Sequence, residues 1–245
     1  MLYYCGGVVI ISDKLQMDLK NLLLTIVKIF MSNLVRVNTA LISVADKRNL
    51  DILARGLYDV NPELVVYSSG GTARFLREHL EEPHRSKVRD VSEYTGMPES
   101  PDDLLKTLHH RVQGALLLDR GKSSHVPYME QEGIGQIELV VQNPYPFEQA
   151  VREGVTPREA QKKIDIGGPT MVRAGAKFFD RVAVVVDPAD YEALLMELKG
   201  KEGATSLAFR LDLALMVFEL TSRYDAAVAS YLRVKREEVE RAFGE

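Results

Sequence analysis

The sequence predicts an α/β protein built on a doubly wound parallel sheet, with a helical C-terminal part. Two observations support this fold class. Short apolar, β-branched segments alternate with segments whose apolar residues recur every three or four positions, as strands and amphipathic helices do. Beyond residue 206 only the helical pattern continues. Alternating strands and helices favour a parallel sheet that is covered by helices on both faces.

The composition is that of an ordinary globular protein. The 245 residues are 46% hydrophobic and 27% charged, which is enough for a substantial core. The net charge of −4 argues against nucleic acid as the main partner. Cys5 is the only cysteine, so neither an intrachain disulfide framework nor a cysteine metal cluster is expected. These features are typical of a cytoplasmic enzyme.

Residues 1–31 differ from the rest and are predicted to form an N-terminal extension. The apolar run of residues 21–31 is shorter than the roughly 20 apolar residues of a membrane span, and the charges before it do not fit a signal peptide. No membrane partner is therefore expected. The extension is either upstream sequence, an added amphipathic helix or an ordinary helix packed on the domain. Residues 32–245 are predicted to form the domain, with an α/β core to about residue 200.

The first two predicted strands both run into polar loops that lead to helices. Val35–Val44 ends near Ser43 and Lys47, and Leu64–Ser68 runs into Ser69-Gly70-Gly71-Thr72. Backbone N–H groups and hydroxyls in such a turn can hold a phosphate. The alternative is a plain turn in which Thr72 caps the next helix.

Four further segments are predicted to be strands: Lys87–Val91, Gly114–Leu118, Ile137–Gln142 and Val182–Val186. Lys106 lies in the loop before the second of them. His109 and His110 are adjacent there, and neighbouring side chains on a strand point to opposite faces. This spacing argues against a metal site.

A stiff loop, Asn143-Pro144-Tyr145-Pro146, follows the strand that ends at Gln142. Its two prolines restrict the backbone and fix where the phenol of Tyr145 points. The alternative is a rigid turn with Tyr145 packed as core. Thr156-Pro157-Arg158-Glu159 then has the form of a capping box that starts a helix.

The segment from Asp165 to Lys177 is predicted to be a loop that feeds a helix. Its two glycines, beginning at Gly167, let a ligand approach the backbone, and Pro169 suits the first helical position. Arg173 and Lys177 share one face of the helix and repel each other unless an anion lies near. The segment therefore suits an anion or a developing oxyanion. The alternative is a solvated basic face.

All these polar groups follow predicted strands, precede one or enter helices. In parallel α/β sheets, ligands bind beyond the carboxyl ends of the strands. The sequence therefore predicts that the loops converge on one shared anion-binding cleft.

Together, these segments resemble the IMP cyclohydrolase domain of the bifunctional AICAR transformylase/IMP cyclohydrolase family. The match extends from about residue 40 to residue 232. Eight segments occur in the family's order: Leu41–Lys47, Ser69–Ala73, Val91–Gly96, Lys106–His109, Asn143–Phe147, Ile164–Lys177, Val184–Tyr191 and Tyr224–Ala227.

The resemblance implies a methylglyoxal-synthase-like fold. It also implies that the protein closes the purine ring of formyl-AICAR, giving IMP and water without metal or cofactor. A homodimer and a separate AICAR formyltransferase are expected as partners. The implied catalytic positions are Lys106, Tyr145, Asp165 and Lys177. The implied nucleotide contacts are Ser43, Lys47, Ser69, Gly70, Gly71, Thr72, Thr107, Asn143, Ile166 and Gly167.

One segment departs from the family's usual Asp-Gly-Arg-Val-Lys-Thr-Leu-His-Pro. Here Asp103 replaces the glycine, and Leu104 replaces the arginine. Losing a cation and adding a carboxylate beside a phosphate should weaken its binding. The departure leaves open a catalytically silent nucleotide-binding module on the same fold, whereas the four retained catalytic positions favour a working enzyme.

Overall fold

The computed structural model describes residues 2–5, 8–11, 21, 33–98, 100, 104–144 and 147–244. The predictions for Asp103, Tyr145 and most of residues 1–31 lie outside these residues. Within the N-terminal extension, β1 (Leu2–Cys5) and β2 (Val8–Ile11) pair as antiparallel strands.

A five-stranded parallel sheet forms the centre of the domain. Its strands are β4 (Thr39–Ile42), β5 (Val65–Ser68), β6 (Val88–Asp90), β7 (Leu139–Val141) and β8 (Ala183–Val185). They lie side by side in the order β6-β5-β4-β7-β8. The order reverses between β4 and β7, so the loops that follow these strands diverge and leave a crevice at the carboxyl edge.

Helices cover both faces of the sheet. They are α1 (Leu50–Val60), α2 (Gly70–His79), α3 (Val91–Thr95), α4 (His110–Leu117), α5 (Val126–Gln131), α6 (Phe147–Arg152), α7 (Pro157–Lys163), α8 (Gly167–Lys177), α9 (Tyr191–Gly200), α10 (Leu207–Val234) and α11 (Arg236–Phe243). Short 3-10 turns lie at Arg85–Lys87 and Pro188–Asp190.

Each face of the sheet contributes to its own apolar core. The side chains of β4 alternate, so that Ile42 packs with α1, α2 and α9 on one face, whereas Leu41 packs with α4, α8 and α10 on the other. This arrangement confirms the predicted doubly wound α/β fold with a helical C-terminal part. No helix in the described part of the chain combines the length and apolarity needed to cross a membrane.

The segment predicted as one strand, Val35–Val44, forms two. β3 (Leu34–Arg36) pairs antiparallel with β9 (Ala204–Ser206), and only β4 belongs to the parallel sheet. The partly buried carboxylate of Glu138 accepts hydrogen bonds from the N–H groups of Asn38 and Thr39 at 3.2 and 2.9 Å. Because these N–H groups bond to a side chain rather than to a strand, the ladder is interrupted there.

The prediction of a strand at Gly114–Leu118 is wrong, because these residues fall at the end of α4. The buried residues Val112, Ala115 and Leu116 have helical spacing, which a short apolar run does not distinguish from a strand. His109 caps the helix, and its Nδ1 accepts from the Arg111 N–H at 3.2 Å.

Arg210 of α10 joins several elements outside the parallel sheet. Its side chain is 1% exposed, and its guanidinium donates to the main-chain oxygens of Asn33, Phe179, Asp180 and Thr205. These bonds connect α10 to the residue before β3, to the loop after α8 and to β9.

Replacing Arg210 with methionine is expected to lower the free energy of unfolding by about 3 kcal/mol or more, since buried carbonyl oxygens would lose their charged donor. Urea unfolding of Arg210→Met measures this change. Arg233→Met, an exposed position on the same helix, is the control. Equal unfolding midpoints for the two variants would contradict the structural role of Arg210.

Candidate active site

The polar loops meet at the carboxyl edge of the sheet, around a cavity of about 240 Å³. The loops after β4, β5 and β7 form part of its wall, and the loops before α4 and α8 form the rest. The lining residues are Ser43, Val44, Ala45, Lys47, Ser69, Gly71, Thr72, Lys106, Gln142, Asn143 and Asp165. The polar residues from separate loops therefore share one cavity, as the shared-cleft prediction requires.

One end of the cavity is positively charged. The Nζ of Lys106 lies 3.0 Å from the point where a Cβ on Gly70 would stand, and the Nζ of Lys47 lies 4.0 Å from one on Gly71. Gly70 has φ of +52°, a conformation that favours glycine. Two ammonium groups thus lie beside the first N–H groups of α2, which is a favourable environment for a phosphate.

Thr72 joins two loops and does not cap α2, so its predicted alternative role as a cap is wrong. Its hydroxyl accepts from the Val44 N–H at 3.2 Å and donates to the Val44 carbonyl at 3.1 Å. The N-cap residue is Ser69. Thr72 therefore fixes the distance between the loops after β4 and β5.

Asn143 has a similar positioning role. Its Oδ1 accepts from the N–H groups of Ala45 and Asp46, each at 2.8 Å, and its Nδ2 donates to the Asp46 carbonyl at 3.0 Å. These bonds hold the loop that carries Ser43 and Lys47. The hydrogen bonds of the Asn143 side chain therefore position this loop at the cavity.

Asp165 also lines the cavity, just before α8. Its Oδ1 accepts from the Gly168 N–H at 2.9 Å, and its own N–H donates to the Tyr224 hydroxyl at 2.7 Å. Burial raises the pKa of the Asp165 carboxyl, while hydrogen bonds from the Gly168 and Gly167 N–H groups partly oppose that rise. A fixed carboxyl with a raised pKa is suited to proton transfer.

The two glycines at the start of α8 permit close packing between protein groups. A Cβ on Gly168 would stand 2.2 Å from Gln142 Nε2 and 2.4 Å from Asp165 Oδ2, and one on Gly167 would stand 3.3 Å from Thr107 Oγ1. Pro169 is the third residue of α8, so its predicted first position is wrong. A missing N–H is harmless anywhere in the first turn.

Lys177 lies at the far end of α8. The helix rises 1.5 Å per residue, which separates Lys177 from Gly167 by about 15 Å. Its side chain is exposed, and its Nζ lies 5.4 Å from the ring centroid of Phe178. The cavity therefore brings together Lys106 and Asp165, but not Lys177. Ile166, a predicted nucleotide contact, is 61% exposed.

Two residues at the site received no role from the sequence. Gln142 lines the cavity, and its only sequence signal is a polar residue at the end of an apolar strand. Tyr224, from α10, supports the loop at Asp165. Nothing local in the sequence places it there, because the contact spans 59 residues.

A second, larger cavity of about 760 Å³ adjoins the first. The two share Ala45 and Asn143 in their walls. Arg152 and Arg223 line the larger cavity together with carboxylates, among them Glu148 and Glu153, so its charge is mixed.

Two family models match the chain. An MGS-like domain matches residues 50–170, and an AICARFT/IMPCHase bienzyme model matches residues 175–244. Among curated relatives, the bifunctional purine biosynthesis protein PurH of Cereibacter sphaeroides strain ATCC 17025 is 49% identical over 202 residues, which are 82% of this chain and 37% of the relative. PurH of Dinoroseobacter shibae is 46% identical over 202 residues, again 82% of this chain and 37% of the relative.

A solved structure is also similar. The crystal structure of ForH has 32% sequence identity and a TM-score of 0.66, with 79% of this chain and 97% of that chain covered. The chain spans a little over a third of the length of the PurH relatives.

Proposed function

Since the chain belongs to the family of AICARFT/IMPCHase bienzymes, we propose that it acts in purine biosynthesis as an IMP cyclohydrolase. Its substrate is formyl-AICAR, and its products are IMP and water. The observation that supports this proposal is one cavity that holds two lysines near a helix N-terminus together with the partly buried carboxyl of Asp165. A nucleotide with one phosphate and one reacting end fits that arrangement.

The substrate's phosphate binds at the positively charged end. Lys47 supplies positive charge, and the N–H groups at the start of α2 supply donors. Asn143 and Thr72 hold the two loops around this end. This anchor holds the two reacting groups of a flexible substrate near Asp165, which itself makes a large contribution to the rate.

Ring closure joins the carboxamide nitrogen to the formyl carbon. The formyl oxygen becomes an oxyanion, takes one proton from the carboxamide nitrogen and one from the formamide nitrogen, and leaves as water. Asp165 accepts the carboxamide proton and passes it on. Lys106 stabilises the oxyanion by charge and hydrogen bonding.

The resemblance implies a catalytic role for Lys177 that its own chain's cavity does not accommodate. We propose that Lys177 acts from a second copy of the chain, consistent with the expected homodimer. Its exposed position at the end of α8 leaves the ammonium group accessible to a neighbouring copy.

Mixing two inactive variants tests this role. Lys177→Ala alone is expected to lose about 10²- to 10³-fold in turnover. When it is mixed with Asp165→Asn and the dimers exchange subunits, about a quarter of the sites combine two intact groups, so roughly that share of activity should return. No recovery would contradict action from a second copy, and near-normal turnover of Lys177→Ala alone would remove its catalytic role.

A catalytically silent module is the second candidate. Leu104, which stands where the family usually has an arginine, is 72% exposed and supplies no charge for a phosphate. Incubation of the purified protein with formyl-AICAR, followed by absorbance, separates the two candidates. The proposed enzyme forms IMP, whereas a silent module binds IMP without turnover.

A further inference from the structure

Gln142 places a neutral amide inside the candidate site. It directly follows β7 and is 4% exposed. Its main-chain N–H donates to the Val185 carbonyl at 3.0 Å, so the end of the sheet fixes its position. Gly168 provides the space that its side chain occupies.

The two ends of the Gln142 amide have different surroundings. Its Nε2 lies 3.5 Å from Asp165 Oδ2, where it can donate weakly. The reverse orientation of the amide would bring its oxygen against the carboxylate, so the present orientation is favoured. Its Oε1 is buried and accepts no hydrogen bond from any residue that the structure describes.

A structural role does not explain this arrangement. Burying an acceptor without a donor is unfavourable, and an apolar side chain of the same size would avoid that loss. An amide at this position is therefore suited to a bound partner that donates a hydrogen bond. The last torsion of a glutamine side chain is soft, so a small rotation turns Oε1 toward the cavity while Nε2 stays near Asp165.

We propose that Gln142 is a specificity-determining residue whose Oε1 accepts a hydrogen bond from the N–H of the nitrogen that closes the purine ring. This inference rests on the proposed function and extends it. In formyl-AICAR the donor is the carboxamide, and in IMP it is the N–H at position 1 of the ring. The bond holds that nitrogen beside Asp165, the group that takes its proton.

The proposed bond distinguishes two nucleotides of nearly equal size. IMP carries a hydrogen on ring nitrogen 1, whereas AMP presents a bare acceptor there. An acceptor such as Oε1 therefore attracts IMP and repels AMP. Gln142→Met removes the acceptor and keeps the approximate length and volume of the side chain.

Calorimetric titration with IMP and AMP, on the full chain, tests the proposal. The wild type should prefer IMP. In Gln142→Met the ratio of IMP to AMP affinity should fall about fivefold to tenfold, the loss of one hydrogen bond, and the thermal midpoint should stay equal or rise. Gln161→Met, an exposed position on α7, is the control and should change neither quantity.

The outcomes separate this inference from the proposed function. IMP binding with an unchanged IMP-to-AMP ratio in Gln142→Met overturns the inference alone, as does a large fall in the thermal midpoint with the ratio intact. If the wild type does not bind IMP, the proposed function fails and the inference fails with it. If Gln142→Met does not fold, Gln142→Leu gives the same comparison with a shorter apolar side chain.

Discussion

Replacing Asp165 with asparagine is expected to lower the turnover of formyl-AICAR about 10²- to 10⁴-fold, because the side chain can no longer accept a proton. The substitution preserves shape, and the carbonyl oxygen of asparagine can still accept the hydrogen bond from the Gly168 N–H. IMP affinity should therefore change much less than turnover. Steady-state kinetics and calorimetry on the same preparation measure the two effects.

The dependence of turnover on pH gives an independent test of Asp165. Burial raises the pKa of this carboxyl, and the reaction needs the ionised form. Wild-type turnover should therefore fall as the pH drops through the raised pKa, at a higher pH than an ordinary aspartate would give. The residual activity of Asp165→Asn should not show this fall at low pH. The control, Asp212→Asn, is exposed on α10 and should retain both normal turnover and its fall at low pH. If the fall persists in Asp165→Asn, it belongs to another group.

Replacing Lys106 with alanine is expected to lower turnover about 10²- to 10³-fold, the usual effect of losing one donor to an oxyanion. IMP affinity should fall less than turnover, because IMP lacks the oxyanion that Lys106 stabilises. Lys47→Ala is the matched comparison, because Lys47 lies at the same end of the cavity, beside Gly71. It should weaken IMP binding and largely preserve turnover at saturating substrate.

The contrast between the two lysines assigns their roles. If Lys106→Ala retains near-normal turnover at saturating substrate, the oxyanion is stabilised by another group. If Lys47→Ala loses as much turnover as Lys106→Ala, the two lysines do not divide the phosphate and the oxyanion between them as proposed.

The fold followed from patterns that act locally. Helical spacing and β-branched segments indicated most of the sheet and its helices, and parallel strands necessarily place their following loops at one edge. The errors arose where a distant side chain intervened. Glu138 interrupts the segment that forms β3 and β4. The Ile134 side chain packs against Gly114 of α4, and a short apolar run gives no local sign of that contact.

The sequence indicated which residues line the candidate site, but not the hydrogen bonds that position them. The loop residues Lys47, Lys106 and Asp165 were expected to converge, and all three line the cavity. The bonds of Asn143 to the loop after β4 span about 97 residues, so no local pattern reports them. Lys177 lies far from the cavity because α8 begins beside Asp165 and carries Lys177 at its other end. The sequence alone did not show that the start of this helix lies at the cavity.

The position of IMP bound to the protein tests the central claim most directly, namely that ring closure occurs between the start of α2 and Asp165. A crystal structure of the complex should place phosphate oxygens within hydrogen-bonding distance of the ammonium group of Lys47, with the purine ring beside Lys106 and Asp165. IMP in the larger cavity near Arg152 and Arg223, or a phosphate remote from α2, would contradict the account.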